Sequence, residues 1–194
     1  MNEATQRPTP AAAPVSATVA EESFVKPHSS GRMNSSQLAW MLREKIVLDI
    51  MERMVSGGPE LEAYNMRVRE YNALAAAIEY KESEMASAFR LVEEMKGDIT
   101  RDAVMETITL AMPIKAMADS KVGTIWRAQK FLSLFGYYPV VIDGEENDGT
   151  LSAVKMYELK SDKPITGRID ESLAEDLAES WITRNTPRDV SLGR

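Results

Sequence analysis

Ile125-Trp126-Arg127-Ala128-Gln129-Lys130-Phe131-Leu132, continuing through Leu134-Phe135-Gly136-Tyr137-Tyr138-Pro139, is the stretch on which the fold turns. Its apolar residues recur at helical spacing, so it reads as an amphipathic helix. Gly136 supplies the left-handed residue that ends such a helix. Ile142-Asp143-Gly144 then contains a turn dipeptide. Thr150 opens a second helix, with Leu151, Ala153, Val154 and Tyr157 facing inward. Lys163-Pro164-Ile165-Thr166-Gly167 makes an extended connector and turn, and Asp170 caps a last short helix that ends near Leu177. Three short helices in this order predict a compact all-α unit over residues 119–184. At about 60 residues it sits at the lower limit of independent stability.

The order of these blocks resembles the peptidoglycan-binding domain family. The first family block matches Ile125, Ala128, Gln129, Leu132, Phe135, Gly136 and Tyr137; Asp143-Gly144 and Thr150 follow at the family spacing. Ala153-Val154 lead to Tyr157-Glu158 where the family has Phe-Gln, and Pro164, Thr166, Gly167 and Leu177 complete the series. The resemblance implies a three-helix module that holds a muropeptide. It points to Tyr137, Tyr138, Asp143, Glu146 and Asn147 as candidate ligand-binding residues. Tyr137, Tyr138 and Trp126 have faces suited to stacking on sugar rings, although Trp126 and Trp181 serve equally as core anchors. Gln129, Gly136, Asp143, Gly144 and Gly167 are turn-fixing residue types. One departure stands out: Glu146-Asn147-Asp148 replaces the family's Phe-Gly-Pro. Asn147 or Asp148 can still cap the next helix. The loop becomes acidic, which opposes the carboxylates of peptidoglycan stems.

Upstream, Asn34-Ser35-Ser36-Gln37 has the form of a capping box, and Leu38, Met41, Leu42, Ile46, Ile50 and Met54 give a first helix. Gly57-Gly58-Pro59 ends it and starts another. From Leu61 through Tyr64, Val68, Tyr71, Ala75, Ile78, Glu82, Met85, Phe89 and Val92 to Lys96, steps of three and four alternate. This seam predicts one long helix over about 59–96, coiled-coil-like, in a helical hairpin or stalk spanning 34–118. Gly97-Asp98 would close it, and Thr100 would cap a third helix that Pro113 stops. So long a stripe calls for a protein partner or self-association. Residues 1–33 are poor in large apolar side chains and read as a disordered arm; residues 185–194 read as a flexible tail.

Composition narrows the function. The chain has 194 residues and a net charge of -7, which disfavours nucleic acid and anionic membrane surfaces as partners. It has no cysteine and a single histidine, His28, in the expected arm. These numbers oppose thiol chemistry, a zinc centre and a serine triad, and neither a metal nor a cofactor is expected. Acids such as Glu79, Glu82, Glu84, Glu93 and Glu94 fall on helix faces that solvent should bathe. The expectation is therefore a non-enzymatic cell-wall adaptor in a phage virion or a bacterial envelope. A cytoplasmic location also stays open, because no secretory signal is visible. The alternative is a structural assembly protein that uses the same fold for protein docking.

Overall fold

A computed structural model describes residues 23–137, 141–190 and 192. The described protein is all-α apart from two strands of two residues each. The elements are β1 (Gly31–Arg32), α1 (Ser35–Met54), α2 (Gly58–Ala75), β2 (Ile78–Glu79), α3 (Glu82–Ala111), α4 (Ile114–Ala118), α5 (Ser120–Leu134), α6 (Asp148–Lys160) and α7 (Glu171–Asn185).

Helix α1 is the centre of the N-terminal half. Asn34 and Gln37 form a reciprocal capping box, each side chain bonded to the other's backbone N–H at 3.0 and 3.1 Å. Leu38, Met41, Leu42, Ile46, Ile50, Met51 and Met54 are essentially inaccessible to solvent. Ala39, Val47 and Leu48 are buried as well, so apolar surface wraps most of the helix. Helices α2 and α3 cover it.

The single helix expected over 59–96 is two helices. It breaks between Ala75 and Glu82, and Ile78 and Glu79 instead pair in parallel with Gly31 and Arg32. Heptad spacing carries across the break by coincidence, and two tertiary gains outweigh local propensity. The strand pairing satisfies backbone groups at the break. The reversal also lays α3 along α1, burying Met85, Ala88, Val92, Ile99, Ala103, Val104 and Ile108. A straight continuation would leave much of this stripe in water. The expected stop at Gly97-Asp98 is also absent. Helix α3 runs through it to Ala111, and Thr100, expected as a cap, turns its hydroxyl back onto the Lys96 carbonyl at 2.7 Å. The α2 part of the stripe is less covered: Leu61 and Met66 remain exposed.

The end of the expected arm is ordered against this layer. Phe24 packs on the core, Met33 is buried, and the Val25 N–H donates to the Ser36 carbonyl. Lys26 pairs with Glu70 at 2.6 Å and lies over the Trp40 ring. His28 is exposed. The first part of the arm, residues 1–22, lies outside the described residues. At the other end, Val190 and Leu192 pack against the core, and the Arg188 carbonyl accepts from Lys96. These contacts hold down most of the expected tail.

The C-terminal helices continue the same hydrophobic core. Phe131 and Leu132 of α5, Val154 and Tyr157 of α6, and Leu177 and Trp181 of α7 are all buried within it. Helix α7 rests on α3 as well as on α5. Lys130 of α5 is buried at the seam with the N-terminal half, where its ammonium donates to Ser56 at 3.0 Å. Burial pushes its pKa below the ordinary lysine value, with partial opposition from Glu60. A second buried charge, Glu44 of α1, faces Arg67 at 3.7 Å and Arg43 at 3.9 Å.

Candidate functional site

Two buried polar side chains shape the loops of the C-terminal unit. Gln129 is fully buried, and both ends of its amide are used. Its Oε1 accepts from the backbone N–H of Asp143 (3.1 Å) and Gly144 (2.8 Å). Its Nε2 donates to the Asp143 carboxylate, the Glu145 carbonyl and the Thr150 hydroxyl, at 2.9–3.2 Å. One glutamine on α5 thereby holds both the turn at 143–144 and the start of α6. Gly144 is obligatory there. Its φ is +77°, and a Cβ would stand 2.6 Å from the Val122 side chain.

Glu158 does the same work for the second loop. It is buried, and its carboxylate accepts from the backbone N–H of Thr166 and Gly167, each at 2.9 Å, and from the Thr166 hydroxyl. Tyr157 beside it donates toward Asp176 at 2.8 Å and meets Ser180 at 2.9 Å. These contacts tie α6 to α7.

Beside Gly136 and Tyr137, past the end of α5, an open groove of about 510 Å³ runs along the outer face of α6. Asp148 and Ser152 line one end, Ala153 and Met156 the middle, and Tyr137 and Lys160 the other end. The Lys160 ammonium lies 5.0 Å from the centroid of the Tyr137 ring. That ring stands edge-on to Tyr157 at 6.1 Å, so one side of it is fixed by the core.

The five residues singled out from the sequence separate here. Tyr137 lines the groove. Tyr138 lies outside the described residues. Asp143 is exposed, but its carboxylate is engaged by its own loop: it accepts from the Glu145 N–H at 2.9 Å and from Gln129. These hydrogen bonds, the Glu145 one first, hold its pKa below the ordinary carboxylate value. Asn147 caps α6 through the Thr150 N–H at 2.9 Å. Glu146 is exposed on the loop and does not line the groove. Ser152, Met156 and Lys160 were missed. Their spacing of four was visible in the sequence, as the face of α6 opposite Val154 and Tyr157.

A second groove, of about 380 Å³, lies where α3 meets α5 and α7, over Phe131, Ala178 and Ile182. Its cations are already neutralised: Arg101 is paired with Glu179, and Arg127 with Glu171. The hydrogen bond from Arg127 also lowers the Glu171 pKa. The α6 groove instead presents Lys160, which has no acidic partner among the described residues, and this makes it the better ligand site. No group of His, Cys, Asp and Glu suited to a metal ion occurs among the described residues. No helix among them is long and apolar enough to cross a membrane. The chain matches no family model, no curated protein and no solved structure.

Proposed function

We propose that this chain is a non-catalytic peptidoglycan-binding adaptor of a virion or an envelope-associated assembly, with the α6 groove as its binding surface. The observation that carries the reading is the pairing of the Tyr137 ring with Lys160 in an open groove along α6, a helix whose start buried Gln129 holds and whose inner side carries buried Glu158. An aromatic face suits an amino sugar, and a cation suits a stem carboxylate. The motif residues that suggested the family from sequence are the ones that build the loops held by Gln129 and Glu158, which supports the reading further. The groove holds a single described carboxylate, Asp148, and glycoside hydrolysis by paired carboxylates needs two.

Pelleting with purified sacculi tests this. The full chain should co-sediment at low salt, and Ser152→Trp, which fills the groove from an exposed position, should abolish retention without lowering the melting temperature. Folded wild-type protein that stays in the supernatant would overturn the proposal.

One observation favours the alternative of protein docking. Ile114 is 84% exposed and Met117, one turn along α4, is 54% exposed, giving an apolar pair beside the module. Loss of assembly on Ile114→Lys, with sacculus binding intact or absent from the start, would support that role.

A further inference from the structure

The turn between α1 and α2, Val55-Ser56-Gly57-Gly58-Pro59, carries an exposed serine, Ser56. Two buried charged side chains converge on its hydroxyl. The Nζ of Lys130, from α5, lies 3.0 Å from Oγ, and the Oε1 of Glu60, from α2, lies 3.4 Å from it. The second distance is long for a hydroxyl donor and the first is ordinary, so Lys130 is the closer partner. A lysine ammonium has three protons to place, yet among the described residues this one hydrogen-bonds only to Ser56. Glu60 attracts it, but from beyond ion-pair distance. A buried ammonium so thinly matched is driven toward the neutral amine. The amine nitrogen then accepts from the Ser56 hydroxyl, and an exposed serine on a buried amine is made nucleophilic without a histidine.

The surroundings leave room for an electrophile. Nothing stands within 4 Å of a would-be Cβ on neighbouring Gly57. Helix α2 begins at Gly58 with no side-chain cap, and its positive end suits the negative charge that develops on a carbonyl oxygen under attack.

We infer that Ser56 is a modification site, a nucleophilic hydroxyl with Lys130 as its base, which accepts an acyl group from an activated ester. The Ser56 Oγ bonds to the carbonyl carbon while its proton passes to the neutral Lys130 Nζ. The bond from that carbon to the leaving oxygen breaks, and the leaving group departs with the electron pair. The Lys130 ammonium then gives its proton to the leaving group or to solvent. One transfer leaves one acyl group on the chain and requires no turnover. The site is separate from the α6 groove, and wall binding neither needs it nor is tested by it.

Treating the full folded chain with p-nitrophenyl acetate, and following each residue's acetylation by peptide mass spectrometry, tests this. Ser56 should be acetylated about 100-fold faster than exposed Ser83, and Lys130→Met should remove that advantage while the melting temperature holds. In the wild type the Ser56 rate should rise with pH to a midpoint below the ordinary lysine value. Glu60→Gln, which deletes the charge that favours the ammonium, should move that midpoint lower still and speed the reaction at neutral pH. Acetylation of Ser56 no faster than of Ser83 overturns the inference. So does an unchanged rate in Lys130→Met. Loss of the reaction in folded Glu60→Gln would make the carboxylate the base and sink the role given to Lys130.

Discussion

The two halves of the molecule share one hydrophobic core but obtain their shape by different means. In the N-terminal half, shape follows from apolar surface. Helix α1 is wrapped on most sides, and the chain bends at 76–81 so that α3 can cover it. In the C-terminal unit the helices are short, and buried polar side chains decide where the loops go: Gln129 holds one and Glu158 the other. Non-directional burial tolerates more than one arrangement of the same stripe. A hydrogen-bonded pin tolerates one. The N-terminal half should therefore absorb conservative changes that the C-terminal loops cannot.

The largest expected effect is at Gln129. Removing it strands the buried Gly144 N–H and takes the acceptor from the Asp143 N–H as well, so Gln129→Ala should cost about 3–5 kcal/mol in chemical denaturation. A loss under 1 kcal/mol would mean that apolar packing, not the pin, holds this loop. Glu158 sharpens the point. Glu158→Ala should cost about 2–4 kcal/mol, whereas Glu158→Gln should cost less than about 1, because one amide oxygen can accept both backbone N–H groups while the amide nitrogen donates to Thr166.

Two glycines extend the contrast to the backbone. Gly144→Ala should destabilise by about 2–3 kcal/mol, since its positive φ and the nearby Val122 both oppose a Cβ. Gly97→Ala should stabilise by about 0.5–1 kcal/mol. Gly97 is exposed within α3, and nothing stands within 4 Å of its would-be Cβ. A destabilised Gly97→Ala would argue that α3 does not run straight through this position.

The smallest effects concern two carboxylates with opposite signs. Burial, partly offset by Arg67 and Arg43, raises the Glu44 pKa. A raised folded-state value means stability that is present in acid and lost as pH rises through it. Glu44→Gln should therefore melt above the wild type at neutral pH, the gap closing in acid below the ordinary carboxylate range. Asp143 is depressed by the Glu145 N–H and Gln129. Its contribution is present at neutral pH and lost as pH falls through the depressed value. Asp143→Asn should melt below the wild type at neutral pH, its gap also closing in acid. Melting curves across the acid range that move both variants the same way would break the distinction.

The legibility of each half in the sequence follows from the same difference. The turns of the C-terminal unit announce themselves, because only certain residues make them: Gly136, Asp143-Gly144, Asn147, Thr166-Gly167 and Asp170 lie where the chain turns or a helix is capped. The capping box at Asn34 was readable for the same reason. The break after Ala75 was not. Ala76 and Ala77 are good helix formers, and the heptad spacing runs on through Ile78 and Glu82. What interrupts the helix is a strand whose residues pair 47 positions upstream, which no local window contains. Gly97 misled in the opposite direction: a frequent stop residue sits inside a helix that tertiary packing carries past it. At the candidate site, the framing residues were legible as turn chemistry. The groove wall of Ser152, Met156 and Lys160 was not, because a helix face looks like ordinary solvated surface until a neighbouring loop makes it concave.

The short clasp between β1 and β2 has a mechanical consequence. The two strands are parallel, and the Met33 N–H extends their pairing onto the Glu79 carbonyl at 2.9 Å. Tension applied between the chain before β1 and any point after β2 draws the strands in opposite directions along their shared axis. Their hydrogen bonds then lie across the pull and are loaded together, in shear, instead of opening one at a time. Helices α1 and α2 lie within the loop that the clasp closes, and the contacts of Val25 with Ser36 and of Lys26 with Glu70 carry part of the load beside it. Force that enters before β1 and leaves after β2 is thus shared between four strand residues and the contacts of Phe24, Val25 and Lys26 with the helical layer.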